Sequence, residues 1–303
     1  MSETLVLIDG NSIVHRAFHA FPPLSTQNGI LVNAVFGFSS MLLKIIDDLK
    51  PSYIAVAFDA KGPTFRHKAF PSYKAQRKKA PEELYAQIPL VKKVTNAFHI
   101  PFFELQGFEA DDIIGTLTEQ AERKGLKTTI VTGDLDALQL VSSKTSVSVA
   151  TRGITQSVVY DEAKVYERFQ LSPSQMVDYK ALRGDPSDNI PGVLGIGEKT
   201  AAQLLKKYHT LDQVFQHTND LPPTIKEKLE NGKDQAYVAK NLVDIVRDVP
   251  VALDLSIDFS SAYKKEEAED LLQRFGFTSL IKRLPGKRSI QKEGQLSLLK
   301  GAS

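Results

Sequence analysis

The chain has 303 residues, of which 42% are hydrophobic and 24% charged, with a formal net charge of +2 and no cysteine. That composition belongs to a globular protein with room for one large or two modest domains, and it excludes disulfides and thiolate metal sites. No run approaches the ~18 apolar residues of a membrane span. Met1-Ser2-Glu3-Thr4 leads straight into Leu5-Val6-Leu7-Ile8 without a secretory leader, so a cytoplasmic protein with no membrane partner is expected.

Taken in order, Leu5 to Ile8 reads as a buried parallel strand ended by Asp9-Gly10-Asn11. Residues 34–49 carry Val35, Phe38, Leu42, Ile45, Ile46 and Leu49 at helical spacing, and Pro51 closes that helix. A second strand over 53–58 ends at Asp59. A helix is predicted from Pro81 to about Phe98. Gly107-Phe108-Glu109-Ala110-Asp111-Asp112-Ile113-Ile114-Gly115 opens another, which runs to about Lys124-Gly125. A third strand over 128–132 precedes Gly133-Asp134-Leu135-Asp136.

Strands alternating with helices predict a doubly wound, mostly parallel α/β core over residues 1–160. Sites in such sheets form beyond the carboxyl ends of the strands, where Asp9, Asp59 and Asp134 all stand. Each alone also fits a turn or helix N-cap. Residues 162–169, 173–182, 198–208, 211–217, 224–231 and 234–246 read as helices, giving a mostly helical subdomain over 161–284. Residues 285–303 lack periodicity and are expected to form a flexible tail.

Glu109, Asp111 and Asp112 fall within four positions at a helix start. Acidic residues favour that place for the helix's own sake. With Asp9, Asp59 and Asp134, and with Asp185 and Asp188 in a later Gly/Pro-rich turn, they also make a set that only a hard cation would let converge.

The small net charge hides a local imbalance. Residues 60–81 contain no acid, yet Lys61, Arg66, Lys68, Lys74, Arg77, Lys78 and Lys79 all occur there. Such a run is commonly a solvated loop. Beside an acidic site it is also the footprint of a polyanion track. The three-residue spacing of Lys74 and Arg77 predicts one shared helical face aimed at phosphate, with Tyr73 placed to stack on a base.

The third element is Pro191-Gly192-Val193-Leu194-Gly195-Ile196-Gly197-Glu198-Lys199-Thr200-Ala201. Gly192, Gly195 and Gly197 let backbone N–H groups approach an anion at a helix start, and Lys199 and Thr200 follow in the first turn. A tight structural corner would use the same glycines. None of the six histidines has metal-ligand spacing, so no zinc site is expected.

Together, LIDGNSIVHRAF, AFDAKGPTFRHKAFPSYKAQR, GFEADDIIGTL, TGDLDALQLV and LRGDPSDNIPGVLGIGEKTA resemble the 5′-nuclease (flap endonuclease) superfamily, in particular the bacterial 5′→3′ exonuclease domains. The matching segments span residues 5 to about 205 in family order. The resemblance implies a PIN-like core and a helix–three-turn–helix element of helix-hairpin-helix type. It places first-metal carboxylates at Asp9, Asp59, Glu109, Asp111 and Asp134, and a second cluster at Asp136, Asp185 and Asp188 with Asp112 close by. It makes the basic stretch, about 60–85, an arch bearing the catalytic Lys74 and Arg77. DNA contacts are implied for Arg16, Arg66, Tyr73 and the glycine turn at 189–201.

The implied cofactors are two Mg²⁺ or Mn²⁺ ions, with K⁺ in the glycine turn, and the implied partner is DNA bearing 5′ flaps, nicks or 5′ ends, an RNA primer strand included. The protein would be a nucleoid-associated monomer serving primer removal, replication and repair. Gln295, Leu296, Leu298 and Leu299 resemble a sliding-clamp docking peptide. Two other readings stay open: a PIN-type ribonuclease, and a non-catalytic DNA-junction-binding module.

Overall fold

The structure is a computed structural model that describes residues 3–150 and 157–286. The proposed clamp peptide, Gln295 to Leu299, lies outside the described residues. In chain order the first half comprises β1 (Thr4–Asp9), α1 (Gly10–Ala20), α2 (Asn33–Leu49), β2 (Tyr53–Ala57), α3 (Phe65–Ala69), α4 (Glu82–Tyr85), α5 (Ile88–Ala97), β3 (Phe102–Phe103), α6 (Ala110–Arg123), β4 (Lys127–Thr132), β5 (Thr145–Ala150) and β6 (Ser157–Tyr160). The strands form one sheet in the order β3-β2-β1-β4-β5-β6, parallel throughout except for β6.

Alternation along the strands divides the core between the two faces. Leu5, Leu7, Ala55, Ala57 and Ile130 face α6, while Val6, Ile8, Ile54, Val56 and Val131 face α1, α2 and α5. The direction of strand order reverses between β1 and β4. There the carboxyl ends of neighbouring strands open a crevice, and Asp9 and Asp134 stand on its two sides.

The second half is helical: α7 (Glu162–Phe169), α8 (Met176–Arg183), α9 (Glu198–Tyr208), α10 (Leu211–Gln216), α11 (Pro223–Val243), α12 (Phe259–Ala262), α13 (Lys265–Arg274) and α14 (Thr278–Ile281). Helices α8, α9, α10 and α11 continue the core on the α6 side through Leu182, Leu204, Leu205, Leu211, Leu229 and Leu242. Residues beyond Phe259 instead cross to the other side, where Phe259, Leu272, Phe277 and Leu280 pack with α2 and α5. No helix of the described residues is long and apolar enough to cross a membrane.

Three expectations change. The two helices expected over 224–231 and 234–246 are one helix, α11, because Gly232 is needed not for a break but for contact: a Cβ there would meet Val193 Cγ1 at 2.8 Å. The helix expected from Pro81 to Phe98 is split into α4 and α5 at Ala86-Gln87, with Pro89 in the first turn of α5. Lys74 and Arg77 share no helical face. Residues 71–77 form consecutive turns, with Lys74 at φ 55°.

Candidate active site

The acidic residues reach the crevice by local rules. Asp9 is the N-cap of α1, accepting from the Ser12 amide at 3.0 Å, and its second oxygen accepts from the Thr132 hydroxyl at 2.7 Å. Asp59 accepts from the Asn11 side chain at 2.9 Å and from the Ala110 amide at 2.8 Å, which ties the end of β2 to the start of α6. Glu109 is the N-cap of α6. Asp134 accepts from the Asp136 amide at 2.9 Å in the turn after β4.

Glu109, Asp111, Asp134, Asp136 and Asp188 line one cleft, with Tyr73 and Lys74 on its wall and Ile190, Leu242, Val243 and Ile245 as its apolar floor. Burial and, after it, crowding raise the carboxyls at and beside this cleft. Burial, with Asp59 and Asp134 nearby, raises Asp9 to about 7. Burial, with Asp9, Asp134 and Asp136 adding repulsion, holds Asp111 well above the carboxylate range. Burial and Asp134 lift Asp136 to about 6, even with Lys180 beside it.

Among the described residues no three acidic or histidine side chains are gathered tightly enough to hold a metal ion as they stand. The nearest positive charges are protein side chains. Lys74 Nζ lies 2.9 Å from both oxygens of Glu109 and 3.7 Å from Asp188. Arg77 pairs with Asp188, and Lys180 bridges Asp136 and Asp185. Burial would lower the Lys74 ammonium, but Glu109 and Asp188 outweigh it and the group stays charged.

Three residues assigned to the site do something else. Asp112 is fully buried and receives both arms of the Arg66 guanidinium, plus the amides of Glu109 and Val246, each at 3.0 Å. All its acceptor capacity is used inside the protein, so it is a structural carboxylate rather than a metal ligand. Arg66, 2% exposed, cannot reach DNA; its remaining donors go to the carbonyls of Leu242 and Asp244.

Tyr73 is 3% exposed and cannot stack on a base. Its hydroxyl donates to Glu109 at 3.0 Å and lies 3.3 Å from Asp188, bridging the carboxylates of the sheet side and of the helical side. A sequence reading weights tyrosine in a basic loop as exposed. Only the return of Asp188 over residues 72–77, through Lys74 N to Asp188 O at 2.9 Å and Asn189 to Ser72 O at 2.7 Å, closes it in.

The glycine turn joins α8 to α9. Gly192 packs on Gly184 so closely that a Cβ would lie 2.1 Å from the Gly184 amide nitrogen, and Gly195 has φ +80°. Gly195, Gly197 and Lys199 are exposed. Lys228 of α11 crosses the turn with Nζ 3.3 Å from the Gly195 carbonyl. Arg16 lies at the sheet edge, donating to the Ala150 carbonyl at 2.6 Å. Lys180 was not among the expected site residues. Its one signal in sequence is its place five residues before Asp185, at the end of a helix.

Two family models match the chain: "5'-3' exonuclease, N-terminal resolvase-like domain" over residues 4–170, and "5'-3' exonuclease, C-terminal SAM fold" over 171–276. The chain is 42% identical over 295 residues to DNA polymerase I of Bacillus subtilis, covering 97% of this chain and 33% of that protein. It is 43% identical over 291 residues to DNA polymerase I of Caldicellulosiruptor bescii, covering 95% and 34%. It therefore spans about a third of the length of the curated relatives it matches. Among solved structures, the bacteriophage T5 D15 flap endonuclease, a pseudo-enzyme–product complex with DNA and metal ions, superimposes with a TM-score of 0.69 at 18% identity, covering 90% of this chain and 100% of that one.

Proposed function

The chain belongs to the 5′-3′ exonuclease family, and on that premise we propose that it is a divalent-metal-dependent nuclease. It hydrolyses phosphodiesters near the 5′ ends, flaps and nicks of DNA in replication and repair. The observation that carries this reading is the convergence on one cleft of carboxylates from the β4 turn, the α6 start and the α8–α9 turn, with Lys74 on its wall.

The donor set fits a hard cation. It consists of carboxylate oxygens without a histidine or thiol, and burial, with neighbouring aspartates adding to it, raises Asp9, Asp111 and Asp136, a cost of charge that a cation would relieve. Asp9, Asp59, Glu109, Asp111 and Asp134 would hold one Mg²⁺ or Mn²⁺, and Asp136, Asp185 and Asp188 a second. Bound there, such ions activate water and offset charge on the leaving oxygen.

The protein's own groups do the rest. Lys74 on the cleft wall, with Arg77 beside it on Asp188, supplies positive charge where the scissile phosphate would lie. Tyr73 holds those two carboxylates at one spacing. The start of α9 at Gly197 and Glu198, with exposed Lys199, grips the backbone of the downstream duplex, and K⁺ in that turn would serve the same contact.

The test is a 5′-flap duplex labelled at the 3′ end of the flapped strand, incubated with and without Mg²⁺. Wild type and Lys74→Ala are compared at equal DNA occupancy. Metal-dependent cutting near the junction, at least ~10²-fold slower in the variant, is expected. Tight binding without cutting in Mg²⁺ or Mn²⁺ would leave a junction-binding module, and cutting confined to RNA would leave a PIN-type ribonuclease.

A further inference from the structure

Lys180 belongs to α8 and not to the basic segment, yet its ammonium sits between two carboxylates of the site. Nζ is 2.7 Å from Asp185 Oδ2 and pairs also with Asp136 Oδ1. Asp136 follows β4 and Asp185 opens the turn after α8, so one ammonium joins the sheet edge to the helical side. The residue is 9% exposed, and its helix is fixed by buried Tyr179, Ala181 and Leu182.

This differs from the way Lys74 and Arg77 hold their partners. Those two reach Glu109 and Asp188 from a turn of the basic segment, whereas Lys180 stands on a packed helix and cannot leave without stranding two carboxylates. Asp185 moreover has both oxygens in use within the protein. Oδ2 is taken by Lys180, and Oδ1 accepts from the Ser187 hydroxyl at 2.6 Å and the Ser187 amide at 3.1 Å. A divalent ion arriving at this pair must share oxygens with an ammonium that stays in place.

We propose that Lys180 is a built-in counter-ion that keeps the Asp136–Asp185 pair from binding a divalent cation tightly until DNA is present. The phosphate backbone then supplies the added negative charge and oxygen ligands that let the cation compete. The inference rests on the nuclease reading and deepens it. Lys180 becomes a positioning residue that couples occupancy of the second metal position to substrate, and so restrains metal-dependent chemistry in the free protein.

The experiment titrates Mg²⁺ alone into the DNA-free full chain by calorimetry, for wild type, Lys180→Met and Lys180→Gln. Thermal unfolding is followed at each Mg²⁺ concentration. Removing a fixed positive charge next to the ligands should tighten Mg²⁺ binding about tenfold or more and enlarge the Mg²⁺-induced rise in Tm. Lys180→Arg, which keeps the charge, should titrate like wild type.

Unchanged or weakened Mg²⁺ binding in Lys180→Met and Lys180→Gln would overturn the proposal. So would loss of the fold in both that Mg²⁺ does not restore, since the ammonium would then be a structural tie alone. Failure of the wild type to cut flap DNA in Mg²⁺ or Mn²⁺ would instead sink the nuclease reading, a result independent of the calorimetry.

Discussion

Arg66 and Asp112 form a buried two-armed ion pair, Nη1 to Oδ2 at 2.8 Å and Nη2 to Oδ1 at 2.7 Å, between residues 46 apart in the chain. The pair fastens α3, at the root of the basic segment, to α6, and the Arg66 bonds to Leu242 and Asp244 carry the tie to the end of α11. Removing one partner strands the other charge, so Arg66→Met should cost about 3–5 kcal/mol. Arg66→Lys should also lose stability, since an ammonium cannot serve both carboxylate oxygens and both carbonyls. Urea unfolding of the two variants measures this, and a loss below about 1 kcal/mol in Arg66→Met would show the pair to be dispensable.

Asp111 presents the opposite case. Burial and three neighbouring aspartates hold its carboxyl well above the ordinary range, so its charge opposes folding when no cation is bound. Asp111→Asn should therefore stabilise the metal-free protein by on the order of 1 kcal/mol while reducing cleavage by ~10²-fold or more. A variant that is both less stable and fully active would contradict both halves.

The pH dependence of the metal-free protein follows with a definite sign. Asp9, at about 7, and Asp136, at about 6, both stand above the unfolded value of 3.8, so the folded state binds their protons more tightly. Their contribution favours the fold at low pH and is lost as pH rises through about 6 and then about 7. Urea midpoints in chelator should fall between about pH 5.5 and pH 8, and saturating Mg²⁺ should flatten that fall. A midpoint that rises over this interval in chelator would contradict the crowding of the two carboxyls.

The two ends of the glycine turn should separate stability from binding. A Cβ at Gly192 would run into the Gly184 backbone, whereas one at Gly197 meets nothing within 4 Å. Gly192→Ala should destabilise the protein by more than about 2 kcal/mol. Gly197→Ala should keep Tm within a degree or two and weaken only the binding of duplex DNA. A comparable loss of Tm in both would show that the turn tolerates neither side chain.

Much of this architecture was legible in the sequence because its signals are local. Helices α7 and α9 fall on their expected residues, since Asp161 caps the first and the glycine turn delivers the second. Strands β1, β2 and β4 announce themselves as apolar runs ending at or just before an aspartate or glycine. β5 lacks that punctuation, β6 has Asp161 behind it but is only four residues long and gains its place by antiparallel pairing with β5, and β3, two residues long, exists only by pairing with β2.

By itself the sequence determined which carboxylates follow which strands, because turn chemistry and apolar periodicity are properties of neighbouring residues. Tertiary structure alone decided what each charged side chain faces. Asp111 and Asp112 are adjacent on one helix turn, but one looks into the acidic cleft and the other into the core against Arg66. Tyr73, Lys74 and Lys180 likewise took their partners from segments 35 to 115 residues away or from the fold of a single turn. Burial and charge pairing depend on distances through space, and those are set only when sheet and helices close on one another.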